Sequence, residues 1–394
     1  METIALIAIG YNKVNSIIRL LESLNKADYG NDIVPLIISI DKSETDAVKK
    51  AVEQFQWNHG DKFVRCFQER QGLRKHILSC GEYLEKYDTV WVFEDDIMVS
   101  PSFYQYGKKC VEFYKDDENI EGISLYGTEW NYNANFPFEP LKTEYDTYFL
   151  QYAQSWGQIW YKDRWEKFIQ WYQENLDFFE GERKANIPQN LYTWGENSWL
   201  KYHIAYCIEK NKYFVYPYYS FTTTFVENGT HFGTDITRFH SEMMVKSIKN
   251  YQLANLDDVA VRYDAFFESE LLKQKIEELY HNKIVIDLYG SKKEFKTTKY
   301  VLSTQVLPHQ TEREYGLQLR PIELNVFMEI EGKEIFLYDM TSSMVRKKKE
   351  KNNQIVKKWN YFFKDRFLMW NEIFPLWKSK VTNLIRIIGK RFQK

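Results

Sequence analysis

Apolar and polar positions alternate in long blocks over the first quarter of the chain. Ile4 to Ile9 is an unbroken apolar run that stops at Gly10-Tyr11-Asn12. Ile17, Ile18, Leu20, Leu21 and Leu24 then recur at helical spacing. Ile33 to Ile40 is a second apolar run, ending in Asp41-Lys42-Ser43, and Ala47 to Phe55 has a helical pattern. Phe63 to Phe67 reads as a third strand, Gly72 to Tyr87 as a helix with Ile77, Leu78 and Leu84 on its apolar side, and Thr89 to Phe93 as a fourth strand. This β-α-β-α-β-α-β order predicts an α/β fold, a mainly parallel sheet flanked by helices with right-handed crossovers. Ligands of such sheets bind beyond the carboxyl ends of the strands, where Asn12, Asp41 and Glu94-Asp95-Asp96 fall.

Beyond this block the rhythm changes. Roughly 116–244 mixes short strands and helices rich in Trp and Tyr, and 257–281 has a helical pattern. From Ile284 to Met340 the pattern is β, with strands expected at 284–289, 300–302 and 322–327. A hairpin is expected from Phe327–Ile330 and Ile335–Tyr338 around Glu331-Gly332-Lys333-Glu334. The last segment is amphipathic: Trp377, Val381, Leu384, Ile385, Ile388 and Phe392 share one helical face. Trp359, Phe362, Phe363, Phe367 and Trp370 form an aromatic stripe before it, with Pro375 expected to kink the chain. Three segments follow: 1–250, 251–345 as a helical connector with a small β-rich accessory domain, and 346–394 as a basic amphipathic tail.

Charge sharpens the last division. The whole chain carries −2, yet Arg346 to Lys394 holds 15 Lys+Arg against 3 Asp+Glu, so the tail is +12 and the remainder −14. Trp and Phe opposite Lys and Arg fit an anionic bilayer surface better than nucleic acid. The aromatic content, 29 Tyr, 27 Phe and 12 Trp, suits stacking on sugar rings as well as core packing. Cys66, Cys80, Cys110 and Cys207 form no C-x-x-C pair, so reduced thiols are expected. The N-terminal apolar run is too short to span a membrane and has no small-residue cleavage site after it, so a first strand in a cytoplasmic protein is expected.

Three consecutive acids after a buried strand call for a cation. Alternation along an extended chain sends Glu94 and Asp96 to one side and Asp95 to the other. Closely placed carboxylates suit a hard divalent ion, Mn2+ or Mg2+, which also accepts diphosphate oxygens. A metal–nucleotide site is therefore expected at Glu94-Asp95-Asp96, with Asp41 on the same edge.

The stretch from Val92 to Tyr106, a strand followed by E-D-D, a short apolar run, Pro101 and Phe103-Tyr104, resembles the metal-binding segment of N-acetylglucosaminyltransferase I and related GT-A glycosyltransferases, including those of bacterial surface polysaccharides. Ala8-Ile9-Gly10-Tyr11-Asn12 resembles the family's nucleotide-contacting first loop, Ser39-Ile40-Asp41 its base- or ribose-reading loop, and Gly72-Leu73-Arg74-Lys75 the helix facing the nucleotide. Ser155-Trp156-Gly157-Gln158-Ile159-Trp160 is similar to the acceptor-side loop, and Trp194-Gly195-Glu196-Asn197-Ser198-Trp199 to the W-acid-acid-W segment that supplies the base; here one acid remains, Glu196. Asn228 to Gly233 is similar to the loop that closes over the nucleotide. The resemblance spans roughly the first 245 residues. It implies Asp96 and His231 as metal ligands, Glu94, Asp95, Gly10, Tyr11, Asn12, Asp41, Gly72 and Arg74 as donor contacts, and Glu196 as the base.

The expectation is thus a metal-dependent inverting glycosyltransferase using a nucleotide-sugar, a UDP-sugar by resemblance, and a glycan or lipid-linked acceptor, peripheral on the inner face of the cell membrane. A nucleotidyltransferase or phosphotransferase would use the same carboxylates, but no G-x-x-x-x-G-K-[ST] loop is present and Gly10 stands alone. A non-catalytic membrane adaptor or glycan-binding protein would explain the tail but not the ordered acids.

Overall fold

A computed structural model of the chain describes residues 2–225, 239–246, 250–295, 298–343, 348–363 and 378. The described strands are β1 (Ile4–Gly10), β2 (Leu36–Ile40), β3 (Lys62–Cys66), β4 (Thr89–Glu94), β5 (Ile97–Val99), β6 (Ile120–Ser124), β7 (Trp130–Asn131), β8 (Phe136–Pro137), β9 (Thr147–Leu150), β10 (Gln158–Tyr161), β11 (Tyr213–Pro217), β12 (Thr222–Thr224), β13 (Arg262–Tyr263), β14 (Ile284–Asp287), β15 (Tyr300–Ser303), β16 (Gln310–Tyr315) and β17 (Ile335–Asp339). The helices are α1 (Val14–Asn25), α2 (Ala47–Gln54), α3 (Gly72–Leu78), α4 (Phe103–Tyr114), α5 (Lys162–Glu174), α6 (Leu200–Glu209), α7 (Glu270–Tyr280), α8 (Leu324–Phe327) and α9 (Lys348–Phe363).

A nine-stranded sheet runs β13-β9-β11-β6-β10-β4-β1-β2-β3. The order β4-β1-β2-β3 is parallel throughout, as the opening pattern predicts. β1, and β4 from Val90 to Phe93, are apolar without a break and buried, as strands covered on both faces are. α1 presents Ile17, Leu20, Leu21 and Leu24 to the core. The expected helix after Gly72 tightens into a 3-10 turn over Ser79–Glu85. Trp165 presses against that turn, and a Cβ on Gly81 would lie 1.8 Å from its indole nitrogen.

Register sets the functional edge. Ile9 pairs with Glu94, and Gly10 with Ile40, so β1, β2 and β4 end at one level. β10 enters antiparallel between β4 and β6, with Gln158 opposite both Val92 and Ser124. The residues just before β10 therefore arrive beside the end of β4. β12 pairs antiparallel with β5, bringing Phe225 to the Asp96 carbonyl at 2.8 Å.

Many of the aromatic residues are core. Trp91, Trp160 and Trp199 are fully buried, and Trp160 stacks on Trp165 at 3.8 Å. Glu121 on β6 faces His203 on α6 at 3.1 Å. Burial raises the Glu121 carboxyl well above the usual range and lowers His203 to about 3, so burial disfavours the charged form of each. The four cysteines are unpaired.

A second sheet, β14-β15-β17-β16, occupies the region expected to be β-rich. Several details differ from the pattern. Within 257–281 only α7 is an α-helix, and β13 adds to the edge of the large sheet. The strand expected at 322–327 is instead α8 and its lead-in turn. Asn325 is fully buried there; its side chain accepts from the Gln318 and Leu319 amides and donates to the Leu319 and Ile322 carbonyls, which holds the segment as a turn. The 327–338 hairpin does not form, because β17 pairs with β15 and β16. β16 carries a mostly polar pattern that gives no strand signal.

The segment 348–363 of the tail is helix α9, docked on the body through Phe362, which stacks on Phe136 at 4.6 Å. The amphipathic run from Trp377 to Phe392, apart from Lys378, lies outside the described residues, as do Phe367, Trp370 and Pro375.

Candidate functional site

At the carboxyl edge of β1 and β2, Asp41 is the organising group. Its amide donates to the Gly10 carbonyl at 3.0 Å, tying the two strand ends together. Its carboxylate accepts the amides of Lys42 at 2.8 Å, Gln71 at 2.8 Å and Gly72 at 2.9 Å, and Arg70 Nε lies 3.4 Å away. Gly72 has φ 73°, a left-handed conformation that aims its amide at Asp41. Arg70 also lies over the Tyr11 ring at 3.7 Å. Gly10, Tyr11, Asp41 and Gly72 are thus brought together, with exposed Asn12 following Tyr11. Asp41 meets protein donors here, which makes it the fastener of the 70–72 loop. Arg70 was not singled out from the sequence; its place between β3 and the glycine that opens α3 is the signal that marks it.

β4 ends at Glu94, and Asp95-Asp96 form a turn before β5. Strand alternation therefore does not extend through the three acids as expected, because the chain turns to let β5 pair with β12. The Glu94 carboxyl lies deep although the residue as a whole is only partly covered. Burial, then the charge of Asp96, then that of Asp95, hold it well above the usual carboxylate range, opposed by a hydrogen bond from Ser155.

The Ser155 loop is held tightly. Gly157 adopts φ 85°, its carbonyl accepts the Leu125 amide at 2.9 Å, and Thr222 Oγ1 donates to the Trp156 carbonyl at 2.6 Å. Trp156 is half-buried, edge-on to Tyr126 at 4.9 Å and 5.3 Å from Phe239. An aromatic wall therefore stands next to the acid cluster.

Arg74 projects from α3 toward the other side. Its Nε donates to the Tyr172 hydroxyl at 2.6 Å, and a terminal nitrogen donates to the Glu196 carbonyl at 3.1 Å. The guanidinium also lies 4.5 Å from the Tyr202 ring. Two residues singled out separately in the sequence, Arg74 and Glu196, are thus in direct contact. Glu196 is exposed, in the loop before α6 and outside that helix's first turn, so a helix-dipole role does not account for it. His231 and the Asn228-Gly229-Thr230 stretch lie outside the described residues.

An edge of this kind offers oxygen donors for a hard cation beside loops that can face a nucleotide. Among the described residues, no group of three or more His, Cys, Asp or Glu side chains is arranged to hold a metal. A concavity of about 400 Å3 is at the opposite end of β4, lined by Asp88, Asp116 and Asp163 with Lys115 and Lys162, away from the edge that holds Gly10 and Asp41.

No family model and no curated protein matches the chain. Solved structures similar to it include mannosyltransferase PcManGT from Pyrobaculum calidifontis in complex with GDP-Man and Mn2+, at 12% identity over 55% of each chain and TM-score 0.35. S. aureus TarS 1–349 in complex with UDP-GlcNAc is similar at 13% identity over 58% of this chain and 60% of that one, TM-score 0.38. GalNAc-T7 with UDP, GalNAc and Mn2+ is similar at 13% identity over 55% and 42%, TM-score 0.38. The chain spans between 42% and 60% of the length of these three. At this degree of likeness the case for function stands on the chain's own residues.

Proposed function

We propose that the chain is a metal-dependent, inverting GT-A glycosyltransferase that transfers a sugar from a nucleotide-sugar, a UDP-sugar in our reading, to a glycan or lipid-linked acceptor. The observation that carries this is the three adjacent, partly covered acids Glu94, Asp95 and Asp96 at the strand edge shared with Gly10 and Asp41. Like charges held close together are relieved by a cation.

Carboxylate oxygens suit a hard metal, Mn2+ or Mg2+. Asp96 is the residue that would hold it directly, with His231 as a second ligand. When bound, the metal would neutralise charge on the departing nucleoside diphosphate. Gly10, Tyr11, Asn12 and the Asp41-fastened loop, with Arg70 and Gly72, would face the nucleotide, and Glu94 and Asp95 the nucleotide-sugar. Glu196 would accept the proton of the acceptor hydroxyl, which attacks the anomeric carbon opposite the leaving diphosphate and inverts it. Arg74, gripping the Glu196 carbonyl, sets where that loop stands. A role in surface-polysaccharide synthesis at the cytoplasmic membrane face belongs to the same proposal. It is supported by the +12 tail; among the described residues no helix is long and apolar enough to cross a membrane.

The test is release of UDP from UDP-sugars by purified protein with and without Mn2+. Release that needs metal and is lost in Asp96→Ala supports the reading. Release unchanged by Asp96→Ala removes the metal assignment, and turnover of ATP alone points to a phosphotransferase.

A further inference from the structure

Helix α9 meets the body with one side only. Lys358 Nζ donates to the Tyr289 carbonyl at 2.9 Å, the Tyr361 hydroxyl donates to the Leu319 carbonyl at 2.6 Å, and Phe362 stacks on Phe136 and, at 5.4 Å, on Tyr289. Arg320 lies over the Tyr361 ring at 4.8 Å, and Gln354 is buried on the same side. Lys358 is the cation α9 delivers toward the buried acids Asp287 and Glu268, whose charges oppose the lowering of its pKa by burial. These contacts fix the rotation of the helix about its own axis. That rotation turns Ile355, Val356 and Trp359 outward, where they remain 64%, 58% and 51% exposed. At 100° per residue the three share one sector of roughly 100°.

We propose that this outward face of α9 is a docking surface for an anionic lipid bilayer. Aliphatic and aromatic side chains grouped on a surface helix, with a Trp among them, suit shallow insertion at the headgroup boundary. The sequence at the start of α9 and just before it is basic, Arg346-Lys347-Lys348-Lys349-Glu350-Lys351, and the whole segment from Arg346 onward is +12. The rest of the chain, at −14, is repelled by anionic lipid, so the field of the molecule turns this end toward the bilayer. A second copy is a poor occupant. A twofold contact through this face would set one +12 segment against another. Because α9 is docked, contact through it would hold the body at a set orientation on the membrane, which a tail acting alone would not. The proposal extends the membrane part of the reading above and does not depend on the sugar-transfer chemistry.

The test uses the full chain and phosphatidylcholine vesicles with and without phosphatidylglycerol. Sedimentation is expected with phosphatidylglycerol and to weaken roughly tenfold or more in Ile355→Gln/Val356→Gln/Trp359→Gln. The unfolding midpoint and any nucleotide-sugar thermal shift are expected to stay as in the wild type. Brominated acyl chains are expected to quench part of the wild-type tryptophan emission, and Trp359→Phe to remove that part. Wild-type sedimentation by the triple variant overturns the proposal, as does quenching unaltered by Trp359→Phe. A change from dimer to monomer in the triple variant assigns the face to a second copy and also overturns it. Since nucleotide-sugar binding is read separately, failure here and failure of the transferase reading are distinguishable.

Discussion

Gly157→Ala tests how the acid cluster's neighbour is held. Gly157 sits at φ 85°, and a Cβ there would lie 2.7 Å from Thr222 Cγ2 and 3.4 Å from Leu125 Cβ. Two costs follow. A left-handed conformation costs an L-residue ~1–2 kcal/mol, and the collision with a buried methyl costs about 1–2 kcal/mol more. Thr222→Ser removes that methyl and leaves the oxygen that donates to the Trp156 carbonyl. On its own it should cost ~1 kcal/mol, as one lost buried methyl. The double variant should recover most of the collision and none of the backbone strain, giving a coupling of about 1–2 kcal/mol between the sites. Urea unfolding of the four proteins, followed by both tryptophan emission and circular dichroism, measures the cycle. Gly157→Ala as stable as wild type, or a double variant equal to the sum of the singles, refutes the close approach. If the geometry holds, Gly157→Ala also shifts the loop whose Ser155 contacts Glu94, and donor binding should weaken with it.

Arg74→Ala should lose ~1–2 kcal/mol of stability, since its two hydrogen bonds are only partly shielded from water, and should lower kcat more than it raises the donor KM. Arg74→Lys should rescue little, because an ammonium cannot span both acceptors as a guanidinium does; full rescue would mean that charge alone matters. Glu196→Gln should abolish transfer while leaving donor affinity in place, and weakened affinity would instead make it a binding residue. Glu323 is 1% exposed, and burial lifts its carboxyl from 4.5 to about 8. Between those values unfolding releases a proton, so its contribution turns against the folded state as pH rises, by at most ~5 kcal/mol. Glu323→Gln, neutral throughout, should therefore match wild type at about pH 4 and exceed it at about pH 8; an equal gap at both would refute a buried neutral acid.

Legibility from sequence followed the length and regularity of the signal. β1 and β4 are long apolar runs between punctuating residues, so their parallel neighbourhood and the edge holding Gly10, Asp41 and Glu94 could be read directly. β10 could not be assigned to the slot between β4 and β6, because its four residues carry no trace of partners so distant in the chain. The acids of 94–96 were visible as a cluster, but the turn at Asp95-Asp96 depends on β12 pairing with β5. Asp41 marked the right edge, yet only the fold shows its oxygens meeting the Gln71 and Gly72 amides. Alternation failed at 322–327, where one buried amide, Asn325, outweighs the apolar pattern by satisfying the main chain locally. Within the aromatic stripe of the tail, Phe362 is core and Trp359 faces outward.

In the proposed reading, the edge formed by Gly10, Asp41 and Glu94-Asp95-Asp96 binds a nucleotide-sugar together with a metal. Thermal unfolding of the protein across a panel of nucleotide-sugars, each with and without Mn2+, tests it most directly, because a ligand bound only to the native state raises the unfolding midpoint. The expected result is a rise with a UDP-sugar that needs Mn2+ and is lost in Asp96→Ala. A rise with ATP alone, or a nucleotide-sugar rise indifferent to both Mn2+ and Asp96, would contradict it.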